Sequence, residues 1–233
     1  MKPLIIAHRG YSAKFTENTI PAFNAAIDCG CDMIELDVHF SHDNQLVVFH
    51  DLKLKRITGR KKRVVDYAAE ELRVLNIPTL REVLSVIQKR VPLNIEIKHE
   101  TIKHSEYRKM MVKKLLDLLG ETNTKENVLI SSFDDALLRD LRKSDETIAL
   151  GILDHNHPRQ RLKLELIKEI KPFSYHPNQR SLNEKHMTLL RNEGLKVYSY
   201  TANEIKQFQK LCSLGVDGII TNEVEQLFRY LTD

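Results

Sequence analysis

The sequence has 233 residues, 42% hydrophobic and 29% charged, an ordinary globular composition long enough for one large domain or two small ones. No run approaches the ~18 apolar residues of a membrane-spanning helix, and the apolar start from Leu4 to Ala7 is too short for a signal-peptide core. Integral membrane association is therefore excluded and a cytoplasmic location is expected. The net charge of +4 is local, because seven basic residues and no acid lie between Lys53 and Arg63, and removing those seven leaves −3 for the rest. That distribution argues against a nucleic-acid partner.

Short β-rich runs alternate with amphipathic segments along the chain. Strands are expected at Leu4–His8, Met33–Val38, Leu46–Phe49, Leu93–Ile97, Val128–Ser131, Ile148–Leu153, Phe173–His176, Lys196–Tyr200 and Gly218–Thr221. Between them, Thr79 with Glu82 and Ser181 with Glu184 match the capping-box spacing, and Gly30, Gly120, Gly194 and Gly215 stand where left-handed C-terminal caps belong. Leu80, Val83, Leu84 and Ile87 form the stripe of a helix docked on a sheet. Only Ser41 to Gln45 separates Phe40 from Leu46, too little for a parallel crossover, so this pair is expected to be an antiparallel hairpin turning at Asp43-Asn44. Eight strands then remain, each followed by a helical segment. The expected architecture is α/β, a (β/α)₈ TIM barrel over residues 1–233 with a β-hairpin and a small insertion at about 52–78 after the second strand. The insertion holds a weak helix at 66–74 and the basic run. That run reads as a solvated loop, with attraction of anionic substrates or lipid headgroups as the alternative. Cys29, Cys31 and Cys212 form an odd set that suggests reduced, buried thiols.

In such a barrel the reactive groups come from the C-terminal strand ends, and here those ends carry His8-Arg9, Glu35, Asp37, Glu96, Lys98, Ser131-Ser132, His176, Thr201, Asn203 and Thr221-Asn222. Glu35 and Asp37 share a strand face, as do Glu96 and Lys98. Three carboxylates at one mouth repel one another unless a cation sits among them, and a hard divalent ion, Mg²⁺ or Ca²⁺, suits oxygen ligands. Ion pairing with Arg9 and Lys98 alone is the competing account. His8 ends the first strand and His50 the hairpin's return strand, both beside this cluster, where two imidazoles can divide the proton transfers of a displacement reaction. Phe15, Phe133 and Tyr200 are candidates for an aromatic wall. Asp154-His155-Asn156-His157 reads as a solvated turn rather than a second metal site, and His176 as a pocket or rim residue.

His8-Arg9-Gly10, Glu17-Asn18-Thr19, Glu35-Leu36-Asp37-Val38, Val48-Phe49-His50-Asp51 and Glu96-Ile97-Lys98 together resemble the ordered signature of glycerophosphodiester phosphodiesterases. Ser131-Ser132-Phe133, Thr201-Ala202-Asn203 and Asp217-Gly218-Ile219-Ile220-Thr221 agree more weakly. The resemblance implies metal-dependent hydrolysis of a small-molecule glycerophosphodiester to glycerol 3-phosphate and an alcohol. By motif position Glu35, Asp37 and Glu96 would bind one divalent metal, His8 and His50 would be the acid/base pair, and Arg9 and Lys98 would hold the phosphate. Asn18 and Tyr200 are counted with the substrate-binding groups, Asn18 as a polar support near the metal. Three positions depart from the family's pattern: Tyr200 stands for the usual Trp, Asn222 for Asp, and Thr16 for Pro.

The expected substrates are small and water-soluble, because the loops offer no long apolar lid. A lysophospholipase D-like activity with the basic insertion against a membrane is the alternative enzyme, and a non-catalytic anion binder is the alternative class. A homodimer is left open as a partner.

Overall fold

A computed structural model describes residues 2–98, 104–155 and 162–232. Among these residues eight strands run parallel around a closed barrel: β1 (Leu4–His8), β2 (Met33–Phe40), β4 (Leu93–Ile97), β5 (Val128–Ser132), β6 (Ala149–Asp154), β7 (Ser174–Pro177), β8 (Lys196–Ser199) and β9 (Gly218–Thr221). The β1–β9 and β1–β2 pairings close it. Helices α1 (Ile20–Asp28), α4 (Leu80–Ile87), α5 (Ser105–Glu121), α6 (Asp135–Ser144), α7 (Leu164–Ile170), α8 (Glu184–Asn192), α9 (Ile205–Leu214) and α10 (Val224–Thr232) separate and follow the strands. The expected (β/α)₈ barrel is the observed fold.

Strand alternation sorts the side chains into two environments. Ile34, Leu36 and Val38 of β2, Ile95 and Ile97 of β4 and Leu150 of β6 point outward and pack with Leu80, Val83, Leu84 and Ile87 of α4 and the other helices in one large core. Inside the barrel, Ile6, Met33, Leu129, Tyr198 and Ile220 make a smaller apolar plug. Above the plug the inward positions turn polar, with Glu35, Asp37, Asn94, Glu96 and Ser131 all buried. The same β2 strand thus anchors the helical layer with one face and supplies carboxylates with the other.

The short β3 (Leu46–Val48) is antiparallel to β2 and lies outside the barrel, as the hairpin argument requires. β2 outruns the barrel: it pairs with β1 through residues 33–35 and with β3 through residues 38–40. The register differs by one residue from a turn centred on Asp43-Asn44. Val38 pairs with Val48, His39 with Val47 and Phe40 with Leu46. The Ser41 N–H still donates to the Gln45 carbonyl, so the loop proper is residues 42–44, with Asn44 left-handed at φ 57°. That is the odd-length hairpin that a type I turn followed by a left-handed residue makes.

The insertion between β3 and α4 holds α2 (Lys55–Thr58), a 3₁₀ turn at Val64–Asp66 and α3 (Ala69–Arg73). Leu54, Val64, Ala69, Leu72 and Ile77 gather there around Val47 and Phe49, a satellite core separate from the barrel's. The basic run is only partly a solvated loop, since Arg56 and Arg63 are in ion pairs.

Two caps differ from expectation. Thr79 and Glu82 form the predicted box, but α8 is capped by Asn183, whose side chain accepts from the His186 N–H, while the Ser181 hydroxyl donates to the Asn178 carbonyl in the preceding turn. Gly30, Gly194 and Gly215 are left-handed, whereas Gly120 lies within α5 and Asn123 takes the left-handed position after it. The cysteines are free, with Cys31 buried and Cys29 and Cys212 half-buried.

Candidate active site

At the C-terminal mouth of the barrel a cavity of about 200 Å³ is lined by His8, Arg9, Glu35, His50, Glu96 and Lys98 on one side and by Phe133, Leu153, His155 and Tyr200 on the other. Its volume lies below the ~300 Å³ at which drug-sized ligand pockets begin, so it suits a small polar substrate. A larger groove, about 980 Å³, lies outside the mouth between residues 15–21 and the insertion. The titratable cluster sits in the small cavity.

Glu35, Asp37 and Glu96 bring one carboxylate oxygen each to within 4.8 Å of one another. All three are buried, and two cations hold them. Lys98 Nζ lies 2.8 Å from Asp37 Oδ1 and pairs with Glu96, and Arg9 Nε lies 3.2 Å from Asp37 Oδ2. Burial raises the Asp37 carboxyl's pKa, but Lys98 and Arg9 outweigh it and hold the group below its ordinary value. Glu35 and Glu96 go the other way. Burial, and then the neighbouring carboxylates, lift Glu35 well above the usual range, while burial lifts Glu96 to about 7 against the pull of Lys98. Two cations therefore do not satisfy three acids. Glu35 Oε1 is buried with no hydrogen-bond partner, as are both polar atoms of Asn94 below it. An unpartnered oxygen in an oxygen-only donor set fits a hard divalent cation.

His8 is neutral and oriented. Burial, followed by Arg9, lowers its pKa to about 4. Its Nδ1–H donates to Asn222 Oδ1 at 2.6 Å, an oxygen that also accepts from the Ser12 hydroxyl. Nε2, 3.9 Å from Glu35 Oε2, keeps its lone pair for the cavity. The chain turns sharply after His8. Arg9 is left-handed at φ 58°, and its N–H donates to Glu35 Oε2 at 3.0 Å. Gly10 follows at φ 78°, and an added Cβ there would lie 2.7 Å from the Ala22 backbone carbon, so the turn against α1 requires glycine.

His50 reaches the cavity in spite of the register. A one-residue slip within a ladder would aim it at the opposite face. The ladder ends first, however. The Phe49 N–H donates to the Asp37 carbonyl at 3.0 Å and the chain then leaves the sheet, with the His50 carbonyl accepting from His39 Nε2 at 2.9 Å. His50 Nδ1 is 2.7 Å from Asp51 Oδ1, which leaves Nε2 as its free nitrogen. Burial lowers the His50 pKa, partly opposed by Asp37.

The remaining candidates are distributed unevenly. Asn18, left-handed at φ 57°, donates from Nδ2 to Asp37 Oδ2 at 2.8 Å and accepts from the Asp37 N–H, so it buttresses a carboxylate instead of lining the cavity. Tyr200 lines the cavity and its hydroxyl donates to the Asp154 carbonyl. Phe133 stands edge-on to Tyr200, but Phe15 lies in the outer groove. Asp154 departs from the expected solvated turn, being buried at the end of β6 against the Tyr175 hydroxyl, while His155 is exposed and stacks on Phe133 at 4.0 Å; residues 156 and 157 lie outside the described ones. His176 is neither pocket nor rim: it is fully buried inside the barrel, 2.8 Å from the Ser174 hydroxyl. The roles of Asn222 and Asp51 as histidine partners were not brought forward by residue patterns. Asn222 stood out only as a polar strand-end residue and a departure from a family motif, and Asp51 only as the residue after His50.

A model of the glycerophosphoryl diester phosphodiesterase family matches residues 8–226. A glycerophosphodiester phosphodiesterase of Caldanaerobacter subterraneus is 34% identical over 241 residues, covering 97% of each chain. A murine lysophospholipase D is 27% identical, covering 98% of this chain and 86% of its own. Among solved structures, a glycerophosphodiester phosphodiesterase of Thermotoga maritima aligns with a TM-score of 0.84 at 30% identity over 98% of both chains. An Oleispira antarctica phosphodiesterase, solved with the product sn-glycerol-3-phosphate, shares the fold at a TM-score of 0.88 and 23% identity, covering 99% of this chain and 97% of its own. With the family model matching residues 8–226 and a relative 34% identical over 97% of the chain, this chain belongs to the glycerophosphoryl diester phosphodiesterase family and is a phosphoric diester hydrolase.

Proposed function

We propose that the chain hydrolyses small glycerophosphodiesters to glycerol 3-phosphate and an alcohol, with His8 and His50 moving the protons and Glu35, Asp37 and Glu96 holding one divalent cation, Mg²⁺ or Ca²⁺. The observation that carries this reading is the placement of both imidazoles in one small cavity with the carboxylate cluster. When bound, the cation neutralises phosphate charge and polarises the phosphoryl group. Arg9 and Lys98 add positive charge at the same wall. His8 is neutral, with Nδ1–H engaged by Asn222, so its Nε2 accepts the proton of the attacking hydroxyl, the glycerol hydroxyl next to the phosphate. His50, with Nδ1 turned to Asp51, donates a proton from Nε2 to the leaving alcohol oxygen. An incoming phosphodiester anion favours the protonated imidazole, which offsets the effect of burial on His50. Water then opens the cyclic phosphate with the two roles reversed: His50 takes its proton and His8 returns one to the glycerol oxygen.

The test is glycerol 3-phosphate release by metal-stripped protein given Mg²⁺, Ca²⁺ or Mn²⁺ in turn. His8→Ala and His50→Ala should each lower kcat by ~10²-fold or more, the range of general acid–base catalysis. Turnover in excess chelator, or wild-type kcat in both variants, would refute the reading. Glycerophosphocholine should be preferred over a dialkyl phosphate of similar size.

A second reading, turnover of a lysolipid, draws support from the outer groove, where Ile57, Leu75 and the exposed Phe15 and Val74 offer apolar surface. Detergent-dispersed lysolipid in the same assay decides between the two.

A further inference from the structure

The insertion reaches the catalytic mouth through one side chain. Arg56, on the single-turn α2, donates from Nε to Asp51 Oδ2 at 2.7 Å and from NH2 to Asp51 Oδ1 at 3.1 Å. The same guanidinium donates from NH1 to Glu17 Oε2 at 2.9 Å and from NH2 to Glu17 Oε1 at 2.6 Å. Asp51 is the partner of His50 Nδ1, and Glu17 Oε1 also accepts from Arg9 NH1 at 2.9 Å. A continuous chain of charge-assisted hydrogen bonds therefore runs His50, Asp51, Arg56, Glu17, Arg9. None of Asp51, Arg56 and Glu17 lines the cavity.

We propose that Arg56 is a positioning residue for the reaction: it clamps the carboxylate that orients His50 and the carboxylate that orients Arg9, and so couples the insertion to both the proton donor and the phosphate-binding arm. The physical argument is one of geometry and charge. Asp51 and Glu17 are brought together on one guanidinium, and without it they repel each other and each is free to rotate. Asp51 would then no longer fix which His50 nitrogen carries the proton toward the cavity. A planar fork that serves two carboxylates at once is specific to arginine, because lysine offers a single point charge. Partly exposed ion pairs add little stability by themselves, so the clamp's effect falls on orientation and thus on rate. Among the seven basic residues between Lys53 and Arg63, this role belongs to Arg56 alone; Arg63, the other one in an ion pair, is bound to Asp66 within the insertion.

This inference rests on the proposed donor role of His50, and the experiment separates the two. Wild type, Arg56→Ala, Arg56→Lys, Arg63→Ala and His50→Ala are each assayed on two glycerol 3-phosphate diesters, one with a simple alkyl alcohol and one with 4-nitrophenol, a leaving group that needs no protonation. Arg56→Ala should lose tenfold or more in kcat/KM, which reads departure of the leaving group and not the later opening of the cyclic phosphate, on the alkyl diester and several-fold less on the nitrophenyl diester, with Arg56→Lys recovering only part of the loss. Arg63→Ala should match wild type on both, and circular dichroism should show every variant folded. A leaving-group-dependent loss in His50→Ala combined with none in Arg56→Ala would overturn the positioning role alone, and combined with an Arg56→Ala loss equal on both substrates it would overturn the coupling to the proton donor. A His50→Ala loss equal on both substrates would overturn the donor assignment and this inference with it.

Discussion

His8 Nδ1 and Asn222 Oδ1 lie 2.6 Å apart although 214 residues separate them in the chain. The pairing exists because β1 and β9 are neighbours at the closure of the barrel, with Ala7 opposite Thr221. The residue after the last strand thereby sets which nitrogen of the first strand's histidine faces the cavity. Asn222→Asp keeps an acceptor at that point and should retain kcat within about threefold. Asn222→Leu removes it; one such hydrogen bond contributes about 1–1.5 kcal/mol, so kcat should fall about tenfold. Equal kcat for the two variants would remove Asn222 from the mechanism.

The carboxylate cluster predicts a metal effect on stability as well as rate. Returning Mg²⁺ or Ca²⁺ to chelator-treated protein should raise Tm in a concentration-dependent way, since binding to the folded state alone shifts the folding equilibrium. Glu96→Gln should weaken that response. A Tm indifferent to every divalent ion would leave the cluster as an ion-paired site with Arg9 and Lys98.

His176 predicts an acid-side loss of stability. Burial inside the barrel lowers its pKa from 6.5 to about 3, so below pH 6.5 the unfolded chain binds a proton that the folded chain does not. Stability from this group therefore falls as pH drops from 6.5 toward 3, with a slope of about 1.4 kcal/mol per pH unit. His176→Gln lacks the titrating group. Denaturant melts at pH 7 and pH 5 should show wild type losing more stability than this variant, and parallel losses would contradict the assignment.

The insertion's satellite core should matter to both fold and rate. Leu72 is fully buried against the cluster that contains Phe49, the residue before His50, and Leu72→Ala should cost about 2–5 kcal/mol. Activity at a temperature where the variant remains folded should fall with it, measured as kcat. A destabilised variant with unchanged kcat would show that the satellite core does not hold His50.

The linear pattern determined the barrel, because eight parallel strands each require a helix-length crossover and each strand's alternation marks one face for the helices. It also determined that β3 stands outside the barrel, since the short stretch from Ser41 to Gln45 cannot make a parallel crossover. Glu35, Asp37, Glu96 and Lys98 were legible for the same reason: a period of two places them on the inner face once the strand is known. The register of the β2–β3 hairpin was not legible, because it depended on one residue of loop length and on Asn44 adopting a left-handed conformation. The direction of His50 depended in turn on where the ladder stopped, which is set by the Phe49 contact with Asp37 and by the satellite core beneath it. Asn222 beside His8, Asn18 beside Asp37 and Arg56 between Asp51 and Glu17 are contacts between segments brought together by closure of the barrel and folding of the insertion. Periodicity reports which face a residue occupies; which partner it meets there was decided only by the tertiary structure.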